Sequence, residues 1–211
     1  MECVLSKIGT GEPLWGERAS RVQAQADSPQ YGRMIEALRG FLDSVAAAHP
    51  DDATIDALAD DLDSWSRRLG PLAISERDQL FGHRHDLPGR GQTMAPALFV
   101  DSGDSESVEG HVTFGHYFLG GNGAVHGGAI PLLFDEVLGR LANAGDRRPS
   151  RTAYLHVDFR SITPVCERLT VRGWFAGEEG RKRLLRGELR HGDTLCAEAE
   201  GLFVELRPGQ P

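Results

Sequence analysis

The stretch GGNGAVHGGAIPLLFD, Gly120 to Asp135, decides how this chain is read. A glycine-rich loop runs through His126 into Gly127 and Gly128, and an almost wholly apolar run follows with one carboxylate, Asp135, inside it. Pro131 dates the start of a helix, because a residue without a backbone donor is tolerated only in the first turn. The helix is therefore predicted to open near Gly127 to Ala129 and to run to about residue 143. Its first amides make a small positive site suited to a carbonyl oxygen or an anion. Ile130, Leu132, Leu133, Phe134, Val137 and Leu138 leave little polar face, so Asp135 is expected to be desolvated, as suits a base working near neutrality. Glu136, about 100° further round the helix, is expected to face solvent or an interface.

A donor nest and a buried acid are the parts needed to polarise and attack an acyl group. Yet Gly127 and Asp135 stand eight residues apart, roughly 12 Å along one helix axis. A carbonyl held by the Gly127 amide is out of reach of the same helix's carboxylate. Either the two groups do unrelated things, or a second subunit packs antiparallel and supplies its own acid, which predicts a two-fold dimer with two composite sites.

The bulk of the chain narrows the field. Its 211 residues suit one sizeable domain, or one domain plus an extension. No run of 18 apolar residues is present to span a membrane. The start, MECVLSK, has neither a basic segment nor a long apolar one, so no export signal is expected and the cytoplasm is the expected location. Cys3, Cys166 and Cys196 are odd in number and far apart, which fits unpaired thiols in a reducing compartment. A net charge of −8 argues against nucleic acid. His83, His85 and Asp86, or His111 with His116, show no convincing zinc spacing, and no metal is expected.

Residues 1–30 show no clear period. Met34, Ile35, Leu38, Phe41, Leu42 and Val45 then follow a helical spacing, and after a break at His49 to Asp52 so do Ile55, Leu58, Leu62, Trp65 and Leu69. This predicts a helical hairpin over about 34–69 whose stripe packs on the main domain or on a partner. Residues 70–95, with Gly70-Pro71, Pro88-Gly89 and Gly91, read as loop. An extension at 1–94 thus precedes a domain at 95–211.

In that domain strands are predicted at 98–100 and 109–118 before the helix, and at 152–161, 168–176, 182–190 and 194–206 after it. Turns are expected at Gly177 to Gly180 and His191 to Asp193. An apolar helix among antiparallel strands is an α+β layout in which the sheet curls around the helix. Over 152–161, Ala153, Leu155, Val157 and Phe159 alternate with Thr152, Tyr154, His156, Asp158 and Arg160. Thr152 and Arg160 then share a polar face about 26 Å long, along which a long substrate could lie.

These residues resemble the hotdog-fold acyl-CoA thioesterases of the PaaI type (4-hydroxybenzoyl-CoA thioesterase-like), in the branch with an N-terminal helical extension. The likeness covers about 95–207. It rests on GAVHGGAI at 123–130, Asp135 nine positions after the histidine, TAYLHVDFR at 152–160 leading to Pro164, EGRK at 179–182 and AEAEGLF at 197–203. It implies a homodimer with joined sheets, or a tetramer built from it, that hydrolyses acyl-CoA thioesters with no cofactor beyond the coenzyme A of the substrate. Asp135 is then general base or nucleophile, and Thr152 steadies the attacking water. The Gly127 amide, with Gly128 and His126 beside it, polarises the thioester carbonyl of the other subunit's substrate. Asp158, Arg160, Arg181 and Lys182 fall where relatives hold coenzyme A. Relatives place an asparagine six residues before the histidine, where this chain has Gly120; Asn122, two places on, is the candidate second donor.

Plainer readings stand beside these. His126 fixes the loop, Arg160, Arg181 and Lys182 are solvated charges, and Trp65 is packing. A hotdog hydratase or dehydratase acting on CoA-linked substrates, and a non-enzymatic acyl-CoA sensor, are the rival functions.

Overall fold

The computed structural model describes residues 29–210; the expectations for residues 1–28 lie outside them. Two helices come first, α1 at Pro29–Ala47 and α2 at Asp52–Leu69. The strands β1 (Phe99–Gly103) and β2 (Ser107–Thr113) and the short hairpin β3 (Leu119–Gly121) and β4 (Ala124–Val125) follow. The central helix α3 (Ala129–Ala142) leads into β5 (Ser150–Phe159), β6 (Arg168–Glu179), β7 (Lys182–His191) and β8 (Thr194–Glu205). Six strands form one antiparallel sheet in the order β1-β2-β6-β7-β8-β5, so β5 is an edge.

The sheet curls around α3, the α+β hotdog layout expected from the sequence. Ile130, Leu133, Phe134, Val137, Leu138 and Leu141 of α3 are buried against Val112, Leu169, Leu185, Leu189 and Phe203 of the sheet. Each such side chain contributes about 1.5–3 kcal/mol by leaving water. The helix presses close because Gly187 faces it: a Cβ there would meet the Phe134 ring at 3.0 Å and the Arg172 carbonyl at 3.1 Å.

Several expectations need correction. The strand read at 109–118 ends at Thr113, and His116–Phe118 form a 3-10 turn. The cause is α1: its Asp43 accepts the Tyr117 amide at 2.9 Å and sits where any side chain at Gly115 would have to go. The loop before His126 contains the β3–β4 hairpin, turned by Asn122 at φ 51 and Gly123 at φ 75. The β6–β7 turn is tighter than expected, with Glu179 paired to Lys182 and Gly180 at φ 59.

The helices ahead of the sheet behave differently from one another. α1 packs on the 3-10 turn at His116–Phe118 and buries Ile35. α2 is well founded locally, with Asp51 accepting the Thr54 amide at 2.9 Å and Arg67 and Arg68 in its last turn. None of its residues is buried, and Ile55, Leu62, Trp65 and Leu69 stand exposed, so its stripe does not pack on the main domain. Residues 70–95 are firmer than a loop reading suggests. Arg39 donates to the Gln92 and Ala95 carbonyls, Tyr31 donates to the Gly91 carbonyl, and buried Arg84 holds Asp86 at 2.6 Å.

Candidate active site

Pro131 stands in the first turn of α3, where its missing donor costs nothing. The approach to that turn is fixed by His126. Its amide donates to the Phe118 carbonyl at 2.7 Å, and its carbonyl accepts the Ala129 amide at 2.9 Å. Its ring nitrogen Nδ1 accepts the Gly128 amide at 3.0 Å. Nδ1 is therefore the unprotonated nitrogen, and Nε2 carries the hydrogen. Gly128 also lies close to the ring: a Cβ there would stand 3.2 Å from Nδ1, a tight contact that would push the imidazole by a few tenths of an ångström. The Gly128 donor is spent inside the loop. Among the described residues the Gly127 amide has no acceptor, and it is exposed, so it is the donor left for a carbonyl oxygen.

Eight residues on, the two neighbouring acids of α3 exchange the places expected of them. Asp135 is exposed, while Glu136 is 6 % exposed and ion-paired with Arg90 at 2.8 Å and Arg140 at 3.5 Å. The apolar run around Asp135 gave no sign of this. The face of α3 that carries Asp135 is turned to the open edge of the sheet, and the face that carries Glu136 is turned to the linker.

β5 meets that face, but not as simple alternation predicts. Thr152 pairs with Phe203 and Tyr154 with Leu202, which leaves Ala153 as the extra residue of a β-bulge. The bulge turns Thr152 onto the helix side, away from the polar face on which alternation places it. Its hydroxyl donates to Asp135 Oδ1 at 2.9 Å. Leu155 and Val157 pack on the core from the same side. Phe159, further along, is 56 % exposed, and a Cβ on Gly127 would stand 3.8 Å from its ring. Asp135 thus meets one end of β5, and Gly127 lies by the other.

The remaining candidates lie elsewhere. Asn122 is exposed at the tip of the β3–β4 turn. Asp158 is on the outer sheet face, and Arg160 is bonded to Glu198 at 2.8 Å and to Asp158 at 3.1 Å. The hydrogen bond to Glu198 and its charge push the Arg160 pKa up. A groove of about 550 Å³ on this face is lined by His156, Asp158, Trp174, Arg186, Glu188, Glu198 and Glu200, in which the carboxylates outnumber the one arginine. Arg181 sits in the β6–β7 turn and donates to the Glu205 carbonyl at 2.8 Å; Lys182 is exposed beside it. The next residue, Arg183, was not singled out by sequence. It is buried and donates to the Ala142 and Arg148 carbonyls, each at 2.8 Å, which closes the C-terminal end of α3. One arginine in a basic run carries no signal that distinguishes it.

Comparison with known proteins agrees with this layout. A crystal structure of a thioesterase superfamily protein is 31 % identical and superposes with a TM-score of 0.70, over 82 % of this chain and 94 % of its own. The chain belongs to the thioesterase superfamily. The likeness takes in more of this superfamily member than the sheet and α3 occupy, so it extends into the helices ahead of them. The family model described as thioesterase superfamily matches residues 122–198, from the hairpin before His126 into β8. Acyl-coenzyme A thioesterase THEM4 of Bos taurus is 34 % identical over 96 residues, 44 % of this chain and 39 % of that protein. The Rattus norvegicus protein of the same name is 31 % identical over 99 residues, 46 % of this chain and 42 % of its own. The matches thus span about two-fifths of the curated relatives.

Proposed function

We propose that this protein hydrolyses acyl-CoA thioesters to a free acid and coenzyme A, at two composite sites in a homodimer. The observation that carries the reading is the placement of the Thr152–Asp135 pair and the free Gly127 amide at opposite ends of one edge strand. A sheet edge is a ready surface for strand pairing, and two-fold pairing of β5 with its copy would be antiparallel. Directly opposed residues in such a pair share a face. A register centred on His156 sets Leu155 opposite the partner subunit's Val157. It also sets the Thr152–Ala153 bulge opposite the partner subunit's Phe159. The acid of one protomer then stands beside the carbonyl cradle of the other.

In this arrangement the thioester oxygen takes the Gly127 hydrogen bond, a kind of donor worth about 3 kcal/mol in the transition state. The Thr152 hydroxyl has its hydrogen on Asp135, so its lone pairs accept from a water molecule. Asp135 takes that water's proton as the oxygen attacks, or attacks the carbonyl itself to form an acyl anhydride that the water then hydrolyses to the free acid. The sulfur leaves with the bonding pair and is protonated as coenzyme A is released. Relatives named acyl-coenzyme A thioesterase support the substrate class.

The test is free thiol release from a panel of acyl-CoAs. Wild type is expected to release thiol, and Asp135→Asn is expected to lower kcat by about 10²–10⁴ with little change in KM. Thiol release at wild-type rate by Asp135→Asn contradicts the assignment. Consumption of an enoyl- or hydroxyacyl-CoA without thiol release marks a hydratase, and binding without turnover marks a sensor.

A further inference from the structure

The linker ahead of β1 holds three successive residues in left-handed backbone: Gly89 at φ 58, Arg90 at φ 58 and Gly91 at φ 64. Space demands the glycines as well. A Cβ on Gly89 would lie 2.6 Å from Arg39 Nη2, and one on Gly91 would lie 2.9 Å from the Arg84 Cβ. Arg90, which has a Cβ, is held in this unfavourable conformation between them. Its guanidinium reaches Glu136 at 2.8 Å, and Arg140, one turn further along α3, approaches the same carboxylate at 3.5 Å. Glu136 directly follows Asp135.

Buried ion pairs are poor stabilisers, because desolvation offsets the attraction, so stability alone is a weak reason for this one. Orientation is a better reason. The other contacts of α3 are mainly apolar and non-directional, and a greasy helix in a curled sheet is weakly fixed about its own axis. Side-chain tips lie about 6 Å from a helix axis, so a 10° rotation moves the Asp135 carboxylate about 1 Å. A misplacement of that size can cost about a hundredfold in rate.

We infer that Arg90 and Glu136 clamp the rotation of α3 and so hold Asp135 in the orientation that meets Thr152. They are positioning residues for the hydrolytic site. The proposal rests on the thioesterase reading, and it makes the N-terminal extension part of the frame of the site.

The decisive variant removes both charges, Arg90→Met with Glu136→Leu. Because Arg140, 11 % exposed, loses Glu136 and keeps its bond to the His85 carbonyl, the variant is expected to stay folded and to melt several degrees below wild type. Its kcat on acyl-CoA is expected to fall about tenfold or more, with KM within about twofold. Its crystal structure is expected to show the carboxylate moved by about 1 Å and the Thr152 bond lost. Should that double variant not fold, Arg90→Gly takes its place: glycine suits φ 58, and Arg140 stays beside Glu136. Its kcat is expected to fall about tenfold and to recover in part when guanidinium is added. Wild-type kcat with an intact Thr152–Asp135 bond in the folded variant overturns the clamp. If wild type releases no thiol while the carboxylate still shifts, the clamp stands and the thioesterase reading fails.

Discussion

At the scale of single residues, Thr152 is the most consequential. Its hydroxyl donates to Asp135 at 2.9 Å, and that bond exists because the bulge at Ala153 reverses the face. Hydrogen bonds to a charged partner are worth about 1.5–3 kcal/mol, so Thr152→Ala is expected to lower kcat about tenfold to a hundredfold. Thr152→Ser keeps the donor and is expected to stay within about threefold of wild type. Steady-state thiol release measures both, and equal losses in the two variants contradict the role given to the hydroxyl. The motif around His126 was legible because a proline in a helix's first turn and paired glycines each have one physical meaning. The burial of Glu136 instead of Asp135 was not. An apolar run seen in sequence gives no indication of which side of the helix the sheet leaves open.

At the scale of elements, α3 and the four strands after it were legible from their periods, since a one-faced strand and an all-round apolar helix have few alternative homes. The end of β2 was not. It is set by Asp43, more than seventy positions earlier in the chain, and contacts of that range leave no local trace. The linker is a similar case: glycines and prolines mark it as irregular, but its order comes from arginine contacts. Among these, the hydrogen bond from Arg84 holds the Asp86 carboxyl below the usual carboxylate range. A depressed folded value contributes stability that is present above the unfolded value of about 3.9 and lost as pH falls through the folded one. Deuterium exchange in 84–92 is therefore expected to rise as pH drops below about 4, after correction for intrinsic rates, and Asp86→Asn is expected to remove that step. A step of the same size in Asp86→Asn contradicts the assignment.

At the scale of the whole molecule, the edge of β5 and the stripe of α2, with Trp65 54 % exposed, are open surfaces. The first joins the proposed halves of the site. Co-expression of Asp135→Asn with Gly127→Pro, which deletes the amide donor, tests that claim most directly. Each homodimer lacks one half of both sites, whereas a mixed dimer keeps one whole site if the halves come from different chains. Co-purified mixed dimers are expected to release thiol at about half the wild-type rate per dimer, and a random mixture at about a quarter. Mixed dimers no more active than either parent homodimer would contradict a site shared between two chains.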